Sequence, residues 1–129
     1  MTENEIATIA VDAMIEVHRE LGPGLLESSY QHCLIFELGS RGLQVEAEVT
    51  LPLQFKGVKL DAGYRIDIWI ERKVIIEVKS VEALHPIHTA QLLTYLKLTG
   101  CRLGLMVNFN EKLVKDGIRR IVYGLPEKQ

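Results

Sequence analysis

The chain has 129 residues and a mass of 14.6 kDa, and 47% of its residues are hydrophobic and 25% are charged. This composition is typical of a single globular domain over residues 1–129 and excludes a collagen-like or disordered chain. The net charge of -2 provides no overall positive field that would attract a polyanion, so any nucleic acid must be held by local positive charge.

Two helices are predicted at the start of the chain. Apolar residues recur at helical spacing from Ile6 to Val17, and the sequence LGPG at residues 21–24 ends this helix. A second helix is predicted over residues 25–41. Its expected core-facing side consists of Leu26, Tyr30, Cys33, Leu34 and Leu38.

Three strands with short turns between them are predicted next. The strands cover residues 45–55, 59–70 and 74–80, and the turns cover residues 56–57 and 71–73. Consecutive strands joined by such short turns pair antiparallel, so we expect a meander.

A third helix and two further strands complete the pattern. The helix is predicted from Pro86 to Gly100, and a nearly continuous apolar strand follows at residues 103–109. Because a helix crossover precedes this strand, we expect it to be central and parallel to a neighbour. A last strand is predicted over residues 118–123. The order predicts an α/β fold in which helices flank one mixed β-sheet.

Cysteine usage and hydropathy predict a soluble, cytoplasmic protein. Cys33 and Cys101 lie in apolar surroundings without a partner at metal-binding spacing, so we expect reduced, mostly buried thiols. No apolar run approaches the roughly 20 residues of a membrane span, and no leader pattern opens the sequence.

The C-terminal end of the chain is basic. Residues 112–129 carry five basic and two acidic side chains, whereas residues 1–48 carry two basic and nine acidic ones. The five basic residues are Lys112, Lys115, Arg119, Arg120 and Lys128. The adjacent Arg119 and Arg120 lie on an expected edge strand, where they either form an ordinary solvated surface or contact phosphates.

The sequence YRIDIWIERKVIIEVKS places two acidic residues inside apolar strands. If residues 71–73 form the turn, Ile70 pairs with Val74, and Asp67 then lies directly opposite Glu77 on the same face. Like charges in this arrangement repel each other, and the neighbouring isoleucines indicate that both are buried.

Such a pair requires a positive charge, and two sources remain open. Lys79, with Arg65 as its expected cross-strand partner, would form a salt-bridge network. Alternatively, the carboxylates hold a divalent metal ion, since hard cations such as Mg²⁺ prefer oxygen ligands and keep bound water.

The third helix carries a polar stripe on an otherwise apolar sequence. His88, Gln91 and Tyr95 are spaced i, i+3 and i+7, so they share one face. This face either bonds to backbone groups or is directed toward Asp67 and Glu77.

These residues together resemble a known family. Gly24-Leu-Leu-Glu27-Ser-Ser-Tyr30 is similar to the GxxExxY protein family, which is assigned to the PD-(D/E)XK nuclease superfamily. The segments YRIDIWI, IIEVKS, HTAQLLTYLKLTG, VNF and GIRRIVY follow in the family's order, so the likeness covers nearly the whole chain. Ile66 precedes Asp67 in place of the proline of the superfamily's name, which is often absent.

The resemblance implies a restriction-endonuclease-like core and a deoxyribonuclease that depends on Mg²⁺ or Mn²⁺. Asp67, Glu77 and the backbone carbonyl of Val78 resemble the metal ligands of the family. Glu27 resembles its first-helix glutamate, which reaches the ion directly or through water, although the helix dipole alone would also favour an acid there. Lys79 resembles the catalytic lysine, which positions or deprotonates the attacking water and stabilises phosphoryl charge.

The polar stripe also has counterparts in the superfamily. Gln91 and Tyr95 resemble a Q-x-x-x-Y element that orients substrate or lysine, and His88 matches the family's pattern.

Three questions stay open at this point. A catalytically silent nucleic-acid- or protein-binding module with the same fold is the alternative to an enzyme, and RNA is the alternative to DNA. The last strand offers a free edge for a homodimer.

Overall fold

The computed structural model describes residues 1–126 and shows a mixed five-stranded sheet between two helical layers. The helices are α1 (Glu3–Leu21), α2 (Glu27–Ser40) and α3 (Pro86–Thr99), and a short 3-10 helix spans Val114–Gly117. The strands are β1 (Val45–Thr50), β2 (Leu53–Phe55), β3 (Val58–Leu60), β4 (Arg65–Ile70), β5 (Val74–Lys79), β6 (Leu103–Asn108) and β7 (Ile118–Val122). Lys128 of the basic C-terminal end lies outside the described residues. Among the described residues, no helix combines the length and the apolar character of a membrane-spanning segment.

The sheet has the order β1-β4-β5-β6-β7, which confirms the predicted mixed arrangement. Strands β1, β4 and β5 form the antiparallel meander, and β6 lies parallel to β5 after the crossover through α3. All six residues of β6 are buried, as expected for a central strand, and β7 forms the edge beyond it. The architecture is consistent with a restriction-endonuclease-like fold.

The predicted strands over residues 45–55 and 59–70 were too long. The chain leaves the sheet after Thr50 and returns at Arg65, and β2 and β3 form a separate hairpin between these two points. Pro52 has no backbone N–H for a strand ladder, which favours the break after β1. A turn at Asp61–Gly63, in which the Asp61 Oδ1 accepts from the Gly63 N–H at 3.0 Å, precedes β4.

Fewer side chains of α2 face the core than predicted. Tyr30, Leu34 and Leu38 are fully buried, but Leu26 is 75% exposed. Leu26 is the N-cap residue, with an extended backbone, and so it precedes the helix. Cys33 is exposed as well, so the prediction of a buried thiol is correct only for Cys101. Cys33 lies to one side of the buried line, in a groove between α1 and α2.

The core consists of two layers that share the strands of the sheet. Alternate side chains of β5 and β6, with Ile68 and Ile70 of β4, pack under α1 and α2, and Ile66 and Trp69 of β4 pack with the other positions under α3. Helix α3 approaches β6 closely at Gly104, where an added Cβ would lie 2.9 Å from the Leu92 side chain. Because of this close contact, the polar stripe of α3, formed by His88, Gln91 and Tyr95, lies over the sheet.

Candidate active site

The pairing of β4 and β5 ends where two carboxylates meet. The two strands pair from Ile70↔Val74 to Ile68↔Ile76, which confirms the predicted register. At the next position, hydrogen bonds to carboxylate side chains replace the backbone–backbone hydrogen bonds of the two strands. The Val78 N–H donates to the Asp67 Oδ2 at 2.9 Å, and the Asp67 N–H donates to the Glu77 Oε1 at 3.4 Å. Asp67 and Glu77 therefore lie together at the point where the strands separate.

This carboxylate pair, in which Glu77 is buried and Asp67 half-buried, is electrostatically unfavourable. Glu77 is only 5% exposed, and burial together with the negative charge of Asp67 raises its pKa to about 8. Burial also raises the pKa of Asp67, while the Val78 N–H and the charge of Lys79 act in the opposite direction. A positive charge between these groups would favour the ionised form of both.

The first of the two alternatives, a salt-bridge network of Lys79, is not formed among the described residues. Over residues 1–126, no ion pair within 4.0 Å joins Lys79 to Asp67 or Glu77. Arg65 was predicted as its cross-strand partner, and that prediction is wrong because the β4–β5 ladder ends before Arg65. Arg65 instead pairs with Thr50 of β1 and forms an ion pair with Glu48 at 3.5 Å.

Glu27 is brought to this site by the start of α2. It is the first residue of the helix, and its negative charge acts on both Asp67 and His88. Within the described part of the chain, however, no three His, Cys, Asp or Glu side chains are grouped closely enough to hold one metal ion. Glu27 is thus near the carboxylate pair but does not complete a three-carboxylate cluster with it.

The segment before Glu27 is fixed by specific contacts. Gly24 adopts a φ of 100°, which favours glycine. The buried Tyr30 hydroxyl donates to the Gly22 carbonyl and accepts from the Leu25 N–H at 3.1 Å. The Ser80 hydroxyl donates to the Leu25 carbonyl at 2.7 Å, which ties this segment to the end of β5. These contacts give a physical reason for the glycine and tyrosine that flank Glu27 in the sequence.

The polar stripe of α3 faces the carboxylate pair. Tyr95 is 3% exposed, and burial together with the negative charge of Glu77 raises its pKa. The Gln91 Nε2 donates to the Tyr95 hydroxyl at 3.1 Å and so fixes its orientation. Burial and the charge of Lys79 lower the pKa of His88, whose Nδ1 accepts from the His85 N–H at 3.2 Å. In neutral His88 this bond leaves the proton on Nε2 as a donor.

Two site residues were missed in the sequence. Gln31 is 9% exposed, and its Nε2 donates to the Asp67 carbonyl at 3.1 Å and to the Glu48 Oε1 at 2.9 Å. Glu48 has a φ of 55° in the middle of β1, and its charge acts on Asp67. The only sequence signal for Gln31 is its place beside the core residue Tyr30, and the alternation in VEAEVT predicts a solvated Glu48.

Asn108 is a further buried polar residue that fixes the end of β5. It is fully buried, its Oδ1 accepts from the Val81 N–H at 3.0 Å, and its Nδ2 donates to the Val81 carbonyl at 3.0 Å. The Phe109 N–H donates to the Lys79 carbonyl at 2.9 Å. Together these bonds hold the backbone on both sides of Ser80 against the end of β6.

The two arginines of β7 point to opposite faces of the sheet. Arg119 pairs with Met106, which in turn pairs with Glu77, so Arg119 lies in the same row and on the same face as Glu77. With neighbouring strands about 4.8 Å apart, the Cα atoms of Arg119 and Glu77 are about 10 Å apart. Arg120 pairs with Leu105 and donates to the Asn4 side chain beneath α1. A phosphate surface shared by both arginines is not formed.

The donor set fits a hard divalent cation. Asp67 and Glu77 provide closely spaced carboxylates, the first half-buried and the second buried, to which no ammonium or guanidinium of residues 1–126 is bonded, and their mutual repulsion would be relieved by a cation. Magnesium sites commonly use one or two carboxylates, with waters and substrate phosphates as the remaining ligands. A third protein carboxylate is therefore not required.

Comparison with known proteins agrees with this geometry. The family model described as the PD-(D/E)XK nuclease superfamily matches residues 4–121, which include every residue of the site. No significant match was found among curated proteins or among solved structures.

Proposed function

Because the chain belongs to the PD-(D/E)XK nuclease superfamily, we propose that it hydrolyses the phosphodiester bonds of DNA with a divalent metal ion. One observation carries this proposal: buried Glu77 and half-buried Asp67 lie together where β4 and β5 separate, with Lys79 close enough to act on both. The choice of DNA over RNA rests on the resemblance and is part of the test below.

Asp67, Glu77 and the backbone carbonyl of Val78 are the proposed ligands of Mg²⁺ or Mn²⁺. Glu27 would reach the ion through water, since it lies outside a direct three-carboxylate cluster. A bound divalent ion would supply Lewis-acid stabilisation of the phosphoryl oxygens and lower the pKa of a water molecule. The spacing of Gly24, Glu27 and Tyr30 supports a place in the GxxExxY branch of the superfamily.

The chain's own cation and hydrogen-bond donors would act on the phosphate. Lys79 would orient the attacking water and stabilise the negative charge that develops on the phosphoryl group, because an ammonium aimed at that charge costs no reorganisation. His88, held neutral, would donate its Nε2 proton to a phosphate oxygen. Arg119 would contact a phosphate farther along the strand.

Gln91 and Tyr95 would act as positioning residues. The Tyr95 hydroxyl is fixed by Gln91 and lies against Glu77, so the pair would orient that carboxylate and the substrate. Gln31 would support Asp67 through its backbone carbonyl.

The test is cleavage of single-stranded DNA, duplex DNA and RNA by the purified chain with Mg²⁺ or Mn²⁺. We expect DNA cleavage that EDTA abolishes, and losses of at least about 100-fold in Glu77→Gln and Lys79→Met. Matched controls are Glu20→Gln and Lys97→Met, which change exposed residues away from the site.

Two outcomes would contradict the proposal. Equal cleavage by all four variants would place the activity elsewhere or in a contaminant. Nucleic-acid binding without metal binding, measured by calorimetry with Mg²⁺ and Mn²⁺, together with no cleavage, would identify a catalytically silent module.

A further inference from the structure

The hairpin β2–β3 exposes an apolar face. Its strands pair as Leu53↔Leu60 and Phe55↔Val58, so these four side chains share one side of the hairpin. Phe55 is 59% exposed, Val58 56% and Leu60 45%. The hairpin has no hydrogen-bonded partner strand in the main sheet. Exposed apolar side chains clustered on a projecting element indicate a binding surface.

The base of this hairpin is anchored beside the candidate active site. The Leu51 N–H donates to the Tyr64 carbonyl at 2.9 Å, and Leu51 is buried in the layer under α3. The Tyr64 ring contacts the Tyr95 ring edge to face, with centroids 6.0 Å apart. Leu51 and Tyr95 belong to the same core layer, and Tyr95 lies near enough to Glu77 for that charge to raise its pKa, so the base of the hairpin lies beside the carboxylate pair.

The tip of the hairpin is close enough to contact a substrate bound at this site. Lys56 follows Thr50 by six positions, so the tip lies within about 20 Å of the end of β1. Thr50 pairs with Arg65, which is two residues from Asp67. About 20 Å corresponds to roughly six base pairs of duplex DNA.

The charge of the hairpin also distinguishes it from its surroundings. Lys56 and Lys59 are exposed, and residues 51–60 contain no acidic residue, although the whole chain has a net charge of -2. The Lys56 ammonium lies 5.5 Å from the centroid of the Phe55 ring. An exposed aromatic ring with an ammonium beside it matches a nucleotide, which presents a base next to a phosphate.

We propose that the hairpin β2–β3 is a nucleic-acid-binding arm of the active site. Phe55 stacks on an unpaired base and Lys56 contacts the adjacent phosphate, while Lys59, which pairs with Gln54 on the opposite face of the hairpin, contacts a phosphate farther along the strand. Apolar and aromatic side chains that stack on or between bases, combined with lysines on the backbone, are a recurrent way of holding nucleic acids. This inference rests on the proposed function for the class of substrate.

The first test is binding to a single-stranded oligonucleotide that contains 2-aminopurine, measured in EDTA so that no cleavage occurs. We expect Phe55→Ala to weaken binding by at least about fivefold and to remove the change in 2-aminopurine fluorescence that stacking produces. Phe36→Ala is the matched control, because Phe36 is 77% exposed on α2. Equal affinity and an equal fluorescence change in wild type and Phe55→Ala would overturn the proposal.

The second test is the salt dependence of the same binding. In Lys56→Ala/Lys59→Ala we expect the slope of log K against log salt concentration to fall in magnitude by about 1.4, since each phosphate contact on a single strand contributes about 0.7. Lys73→Ala/Lys97→Ala removes the same charge at the opposite end of the sheet and is expected to leave the slope unchanged. An unchanged slope in the hairpin variant, or the same decrease in both, would overturn the proposal.

The outcomes separate this proposal from the nuclease activity. If the wild-type chain cleaves DNA and the hairpin variants bind DNA with normal affinity, the proposed binding arm is wrong, but the proposed nuclease activity is not contradicted. A chain that binds through the hairpin but cleaves nothing supports the arm and overturns the nuclease. Sedimentation of the variants measures self-association. If Phe55→Ala loses self-association but keeps its affinity for DNA, the apolar face binds a second copy of the chain, and the proposed binding arm is wrong.

Discussion

Glu77 combines two features that a stable fold normally keeps apart, a carboxylate and a position inside a central strand. Its burial and the neighbouring Asp67 raise its pKa to about 8, so the folded chain favours the protonated form at neutral pH. Asp67 is held in place by the Val78 N–H and, through its carbonyl, by Gln31. The residues that we propose as metal ligands are therefore the ones whose ionised forms are electrostatically unfavourable in the folded chain.

A pH dependence of stability follows from Glu77. The pKa of this carboxyl is about 8 in the folded chain against the ordinary 4.5, so between these pH values the folded state binds more protons than the unfolded state. The free energy of unfolding therefore falls as the pH rises through this range, by at most about 1.4 kcal/mol per pH unit, and the slope vanishes above pH 8.

Urea unfolding in EDTA at several pH values measures this dependence. We expect Glu77→Gln to lose most of the decrease, and Glu20→Gln, which removes an exposed carboxyl, to behave like the wild type. A slope shared by all three proteins would show that Glu77 is not the source.

Helix α3 is the element that couples the core to the site. Its buried residues are Leu92, Tyr95 and Leu96, so Tyr95, whose pKa the charge of Glu77 helps to raise, is also part of the core. The helix lies against β6 at Gly104, where the Leu92 side chain occupies the space that a β-carbon would need. A shift of α3 would therefore move Gln91 and Tyr95 relative to the carboxylate pair.

Substitution of Gly104 tests this coupling. In Gly104→Ala the new Cβ would lie 2.9 Å from the Leu92 side chain, which is fully buried, so α3 must shift. We expect a loss of about 1–3 kcal/mol of stability and a loss of nuclease activity at temperatures where the variant is still folded.

Gly39→Ala in α2 is the matched control, because an added Cβ there meets nothing within 4 Å. This variant should be more stable than the wild type by about 0.5–1 kcal/mol. Chemical denaturation measures both changes, and a Gly104→Ala variant as stable and active as the wild type would contradict the close packing.

The whole chain has two apolar layers on one sheet. The layer under α1 and α2 and the layer under α3 are separated by β4, β5 and β6, which contribute side chains to both. Positive charge is also distributed unevenly, with acidic residues concentrated in residues 1–48 and the hairpin and β7 carrying exposed basic side chains. The small net charge is therefore compatible with local contacts to a polyanion.

We expect the chain to unfold as one domain. Trp69 lies in the layer under α3, covered by the Arg72 guanidinium 4.0 Å from the ring centroid, whereas α1 and α2 lie on the other side. Because the two layers share strands, tryptophan fluorescence and far-ultraviolet circular dichroism should report the same midpoint in urea. Loss of helical signal at lower urea concentration than the fluorescence change would show that the layers unfold separately.

The three helices, the mixed five-stranded sheet and the proximity of Asp67 to Glu77 could be predicted from the sequence. These follow from local rules, since side-chain alternation and a three-residue turn at residues 71–73 set the register of adjacent strands. The separate hairpin, the exposed Cys33 and the absence of an ion pair at Lys79 over residues 1–126 depend on the tertiary structure, because burial and charge pairing depend on which distant elements pack together. Gln31 and Glu48 lie 36 and 19 positions from Asp67 in the numbering and reach it only when α2 and β1 pack beside β4. No periodicity in the sequence records such a contact.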